Sequence, residues 1–201
     1  MRLQPGQPAP YFVVSDAYGR TVSLADYAGQ HLLVSFYRAA VCPLCNFRLL
    51  YFVRHFAEFR YDGLQIVTFF ESSPAYVHHY LDRLAVPFPV VADPVRYVYQ
   101  LYGTETSLLG AVWARLTRWG TYRAAAREGV GGNIWQNVVH MDGHMGRLPA
   151  EFLIAPDGRI HTAHYGRDAG DFLPLPAIEA FLGVRRASVV QRGGPIPYTE
   201  R

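Results

Sequence analysis

The sequence predicts an α/β domain with a mixed central sheet flanked by helices, on three observations. Apolar strand-like runs alternate with helix-like stretches as far as residue 102, a C-x-x-C motif stands at a strand-to-helix turn, and a β-hairpin followed by a helix closes the pattern. A chain of 201 residues with 50% apolar content is enough for one domain with its own core.

The opening residues read as a short strand at Tyr11 to Val14, a turn through Asp16 to Arg20, and a second short strand at Thr21 to Leu24. Leu32 to Phe36 is a continuous apolar run, as a strand buried on both faces of a mostly parallel sheet requires. The next helix begins with Pro43, which fits the first turn because no N–H is needed there. Leu49, Phe52, Val53 and Phe56 recur at helical spacing, and Asp62-Gly63 marks the stop. Leu64 to Phe70 is a strand, and Ser73-Pro74 opens a helix reaching about Leu84. Val86 to Ala92 is a third strand, reduced to an edge or to its latter half by Pro87 and Pro89. Val95 to Tyr102 is a short helix.

Residues 104–147 break this rhythm. They hold Trp113, Trp119 and Trp135, a helix through Leu108 to Arg118, and Gly129, Gly131 and Gly132, with no sheet signal, so an insertion of functional weight is expected. The hairpin follows: Glu151 to Ala155, a turn at Pro156-Asp157-Gly158, and Arg159 to Tyr165. A helix from about Pro176 to Leu182 closes the domain. The expected organisation is one domain over 1–187, the insertion at 104–147 within it, and a mobile Gly- and Pro-containing tail at 188–201.

Composition narrows the function classes. The net charge of +3 comes from scattered arginines, with Arg185-Arg186 the one adjacent pair, so no nucleic-acid partner is expected. No apolar run is long enough for a membrane span and no secretory leader opens the chain, so no membrane partner and a cytoplasmic location are expected. Two cysteines three residues apart cannot staple a fold.

They can do redox chemistry. Cys42 precedes a helix whose unpaired N–H groups and dipole favour thiolate over thiol. The expected roles are Cys42 as an exposed, low-pKa nucleophile and Cys45, one turn further in and more buried, as the residue that closes an intramolecular disulfide. Arg38 is placed to stabilise the thiolate or polarise a peroxide, unless it is a strand-end surface cation. Tyr37 offers a hydroxyl near the sulfur or simply packs, and Arg147 offers a second cation to a substrate. A competing metal reading joins Cys42 and Cys45 to His140 and His144. No cofactor is expected on the redox reading. The aromatic residues around Tyr97, Tyr99 and Tyr102 suit an organic substrate or ordinary core packing, and an aromatic cluster in the insertion suits a homodimer contact.

A βαβ unit carrying C-x-x-C, then a hairpin and a terminal helix, outlines the thioredoxin-like fold. That resemblance implies a cis-proline just before the hairpin and facing the nucleophile, and Leu148-Pro149 stands there. Phe36-Tyr37-Arg38-Ala39-Ala40-Val41-Cys42-Pro43-Leu44-Cys45-Asn46 resembles the F-Y-R-x-x-x-C-P-x-C-N stretch of peroxiredoxin-like proteins of the alkyl hydroperoxide reductase/thiol-specific antioxidant family. Gly6 to Pro10, Leu148 to Ile154, Asp157-Gly158 and Tyr165-Gly166 extend the resemblance over most of 3–183. The resemblance implies a thiol peroxidase acting on hydroperoxide or disulfide and re-reduced by a thioredoxin- or glutathione-type donor. One departure is that the family's Thr or Ser three residues before the cysteine is Ala39 here, which favours disulfide exchange. The alternatives are a thioredoxin-type disulfide reductase without peroxidase activity and a non-catalytic Cys/His metal-binding protein.

Overall fold

The structure is a computed structural model, and it describes residues 1–130, 142–144 and 146–184. Its centre is β3 (His31–Tyr37), the apolar run expected to be buried on both sides. Alternation along β3 sends Leu33 and Tyr37 into one core and Leu32, Val34 and Phe36 into a second core across the sheet. β4 (Leu64–Phe70) pairs with it in parallel from His31↔Leu64 to Tyr37↔Phe70. β5 (Val90–Ala92) extends the parallel half, and the latter half of the proline-interrupted run is the part that pairs.

On the other side β6 (Ala150–Ile154) runs antiparallel to β3, and β7 (Ile160–Tyr165) completes the expected hairpin. The five-stranded order is β5-β4-β3-β6-β7. A separate two-stranded ribbon joins β1 (Val13–Ser15) and β2 (Thr21–Ser23).

The helix after β3 is broken. It runs as α1 (Pro43–Arg54), is interrupted at His55, whose ψ of 13° leaves the helical range, and resumes as α2 (Phe56–Tyr61). α3 (Pro74–Leu81) ends in a 3-10 turn over Asp82–Leu84, and α4 is Tyr97–Leu101. Among the described residues of 104–147 are two helices, α5 (Leu108–Thr117) and α6 (Trp119–Arg127), where the sequence predicts one helix from Leu108 to Arg118. The second one carries Gly120 and Thr121, both poor helix formers, in its first turn. Thr106 and Arg147 form an antiparallel bridge where this segment leaves and rejoins the sheet. α7 (Leu175–Leu182) ends the described chain.

The Leu148-Pro149 bond is trans, as is every peptide bond among the described residues, which corrects the cis-proline expectation. Trans is the lower-energy form of X-Pro. In it the Pro149 carbonyl accepts the Gly166 N–H at 2.9 Å, carrying the β6–β7 pairing one step further. Trp135, Gly131, Gly132, His140 and the tail at 188–201 lie outside the described residues.

Candidate active site

β3 delivers the chain to a loop, Arg38–Val41, and the loop delivers Cys42 to the N-cap of α1 with Pro43 at the first helical position. Cys42 has extended backbone (φ −68°, ψ 117°), so the first-turn N–H groups point at its own side chain. The sulfur accepts the Cys45 thiol proton and the backbone N–H groups of Leu44 and Cys45, with the Arg38 guanidinium alongside. The hydrogen bond from Cys45 does most to lower the Cys42 thiol to about 6, and Arg38 and the two N–H groups add to it against the opposing effect of burial. Burial, then the donated hydrogen bond and the charge on Cys42, push Cys45 well above its ordinary range. One sulfur is thereby the thiolate and the other its proton donor.

Cys42 is 1% exposed and Cys45 0%, so the expectation of an exposed nucleophile is corrected. The cause is local packing. Ala39, Ala40 and Val41 are fully buried, and Leu44 and Arg118 lie against Gly170, where an added Cβ would come within 3.4 Å of both. Arg38 is half-buried with its Nε buried and unpartnered, and its charge acts on both sulfurs and on Tyr122 of α6.

The loop is tied down from behind by residues that sequence reasoning missed. The Ala40 N–H donates to Ser72 Oγ at 2.8 Å, and that hydroxyl donates to Asp142 at 2.7 Å. The second Asp142 oxygen accepts the Ser73 N–H at 2.7 Å, capping α3 where Ser73 makes no side-chain cap of its own. Asn46 returns from α1 to the Ala40 carbonyl at 2.8 Å. Gly143 presses on this loop: a Cβ there would lie 2.2 Å from the Glu71 carbonyl and 3.2 Å from the Ala39 side chain.

Arg147, expected to serve a substrate, is instead buried and committed to Glu71 through Nε, with longer contacts to Thr104 and the Glu105 carbonyl. Its guanidinium also lies over the Tyr99 ring. An unpaired cation would be costly at that depth, which is why a carboxylate from the end of β4 meets it. Tyr37 packs: its ring contacts Phe70 and Phe172, and its carbonyl accepts the Tyr99 hydroxyl at 2.7 Å. Pro149 is buried at the start of β6.

A second missed feature is a buried ion pair. Arg48 on α1 donates to Glu151 on β6 at 3.1 and 2.8 Å, and both side chains are at most 1% exposed. Arg48 also reaches the Leu173 carbonyl, while Glu151 accepts the Leu173 N–H and the Ser35 hydroxyl. The signal was present in sequence: Arg48 falls on the same helical stripe as Leu44, Cys45, Leu49 and Phe52, and Glu151 interrupts an apolar strand. His144 donates its N–H to Glu71 and accepts from the Gly146 N–H. Among the described residues no group of three or more His, Cys, Asp or Glu is arranged to hold a metal ion, and His140 lies outside them.

A buried thiolate at a helix N-terminus, paired with a protonated thiol one turn on, defines a thiol redox site on a thioredoxin-like fold. The AhpC/TSA family model matches residues 5–163, and the chain belongs to that family. It is 31% identical to "Putative peroxiredoxin MT2597" of Mycobacterium tuberculosis over 82% of this chain and 86% of that one. It is 30% identical to the thiol-disulfide oxidoreductase ResA of Bacillus subtilis over 50% of this chain and 56% of ResA. Among solved structures, peroxidoxin BcpB of Mycobacterium tuberculosis superposes with a TM-score of 0.63 at 16% identity, covering 92% of this chain and 100% of that one. Peroxiredoxin Q of Xanthomonas campestris gives 0.57 at 17% identity, covering 86% and 87%. The protein is an oxidoreductase of the thiol peroxidase or thiol-disulfide exchange class.

Proposed function

We propose that the protein reduces hydroperoxides through Cys42, with Cys45 as the resolving thiol. The observation that carries this reading is the hydrogen-bonded pair itself, a thiolate and a thiol on one helical turn. The Cys42 thiolate attacks the outer peroxide oxygen, the O–O bond breaks, and the departing alkoxide takes a proton to leave as alcohol. Cys42 is then a sulfenic acid. Cys45, deprotonated as the site reorganises, attacks the Cys42 sulfur, hydroxide leaves and is protonated to water, and the disulfide closes. Arg38, with an unpartnered Nε beside the sulfur, is placed to stabilise the negative charge that builds on the peroxide oxygens. One thioredoxin-type dithiol, or two glutathione-type thiols, returns the pair to the reduced state and is itself oxidised to a disulfide.

Burial favours a peroxide over a protein disulfide as oxidant. Attack on a disulfide needs three sulfurs in line, and the reduced site, with Cys42 1% exposed, gives a small peroxide easier access than a macromolecule. The reducing thiol, by contrast, acts on the oxidised pair after the site has reorganised. The opposing observation is Ala39, which supplies no hydroxyl to clamp a peroxide and favours disulfide exchange as the second reading. Dimedone trapping separates them. In Cys45→Ser treated with cumene hydroperoxide, the first reading gives a dimedone adduct on Cys42. An unmodified Cys42, in protein that still exchanges with a protein disulfide, supports the second.

A further inference from the structure

The outer face of α5 and α6 is apolar, basic and uncovered. On α5, Leu108, Leu109, Val112 and Trp113 are 62%, 84%, 59% and 61% exposed, and their spacing places them on one side of the helix. On α6, Trp119 is 58% exposed, and the exposed Arg123 and Arg127 follow it at four-residue intervals along the same stripe. Four large apolar side chains left in water on one face of α5, with Trp119 exposed at the start of the next helix, are of the kind that marks an interaction surface.

Charge identifies what covers it. Residues 106–127 contain four arginines, at 115, 118, 123 and 127, and no aspartate or glutamate. Glu105 and Glu128 flank the segment and are paired with Arg2 and Arg54, and Arg118 is paired with Asp168, which leaves Arg123 and Arg127 as the exposed cations beside Trp119. A second copy of the chain would bring two sets of Arg123 and Arg127 together while the neighbouring carboxylates, Glu105, Glu128 and Asp168, are already engaged by Arg2, Arg54 and Arg118, and like charges repel. A bilayer surface with anionic headgroups answers both properties. Trp and Leu side chains enter the boundary between headgroup and acyl chain, and arginines face the phosphates. No helix among the described residues is long and apolar enough to cross a membrane, and surface docking requires none. The sequence expectation of no membrane partner rested on the lack of a spanning run.

We propose that α5 and α6 dock the protein on anionic lipid bilayers through Leu108, Leu109, Val112, Trp113 and Trp119, with Arg123 and Arg127 at the lipid phosphates. Tyr122 of α6 is half-buried and packs against the core cluster that includes Cys42 and Cys45. This inference stands independently of the peroxidase reading.

The test is co-sedimentation of the full chain with phosphatidylcholine vesicles, with and without phosphatidylglycerol, at low and high salt. The expected result is binding to the phosphatidylglycerol vesicles alone, with release by salt. Replacing Arg123 and Arg127 together by Gln lowers the partition about thirtyfold, the effect of two arginines near an anionic leaflet. Trp113→Ala with Trp119→Ala lowers it as well. All four residues sit in water, so the variants should melt with the wild type. If one does not fold, the lipid and salt dependence of the wild type decides. No wild-type binding to phosphatidylglycerol vesicles overturns the proposal and leaves an acidic protein as the partner this face fits. Equal binding to both lipids, or variants that bind as the wild type does, also overturn it. So does a dimer that Trp113→Ala dissociates.

Discussion

Arg48 and Glu151 join α1 to β6 by two parallel hydrogen bonds, three residues after Cys45 on the helix that carries the dithiol. A pair this deep stabilises little in net terms, because desolvation offsets the attraction, but losing one partner leaves a bare buried charge. Arg48→Met or Glu151→Leu alone is expected to cost about 3–5 kcal/mol by urea unfolding. The double variant is expected to recover much of that, since two apolar side chains leave no charge behind. Additive losses in the double variant would show that the residues act separately.

Cys42 should titrate early. Its alkylation rate by iodoacetamide follows the thiolate fraction, so it rises with pH, is half-maximal near pH 6, and is flat above. Cys45→Ala removes the hydrogen bond that does most to lower it and moves the midpoint upward. An unshifted midpoint in the variant would assign the lowering to Arg38 and the helix terminus instead.

Arg38 acts on the charge of both sulfurs from outside the C-x-x-C motif. Arg38→Met is expected to raise the Cys42 midpoint and to slow sulfenic acid formation about a hundredfold at pH 7, as loss of a donor to developing oxygen charge does. A rate within twofold of wild type would remove Arg38 from the mechanism.

The Asp142–Ser72–Ala40 chain of hydrogen bonds holds the loop that presents Arg38 and Cys42. Ser72→Ala strands the buried Ala40 N–H and is expected to cost about 1–3 kcal/mol. Ser72→Thr, which keeps the hydroxyl, should restore most of it. Thermal melts of the two variants side by side measure the difference.

What the sequence made legible was local or periodic. The run from Leu32 to Phe36, the proline-headed helix after Cys42, the hairpin around Asp157-Gly158 and the rhythm up to Tyr102 each depend on neighbours within a turn or a strand. The missed features depend on contacts between distant segments. Ser72 and Asp142 are 70 residues apart, and neither belongs to a motif. Arg147 reads as a free cation until Glu71 is seen against it. Cys42 is buried in a cluster that includes Phe70, Ala114, Ala169 and Phe172, residues from distant segments that the C-x-x-C spacing does not report. Arg48 and Glu151 were within reach of a closer reading, since a charge on an apolar stripe requires a partner of opposite sign.

The most direct test of the central claim is rapid mixing of reduced protein with one equivalent of hydrogen peroxide, with the Cys42–Cys45 disulfide quantified by quench and mass spectrometry. The account predicts disulfide formation orders of magnitude faster than oxidation of a free thiol, and arrest at a Cys42 sulfenic acid in Cys45→Ser. Formation no faster than for a free thiol, in protein whose Cys42 titrates near pH 6, would contradict peroxide reduction as the activity of this site.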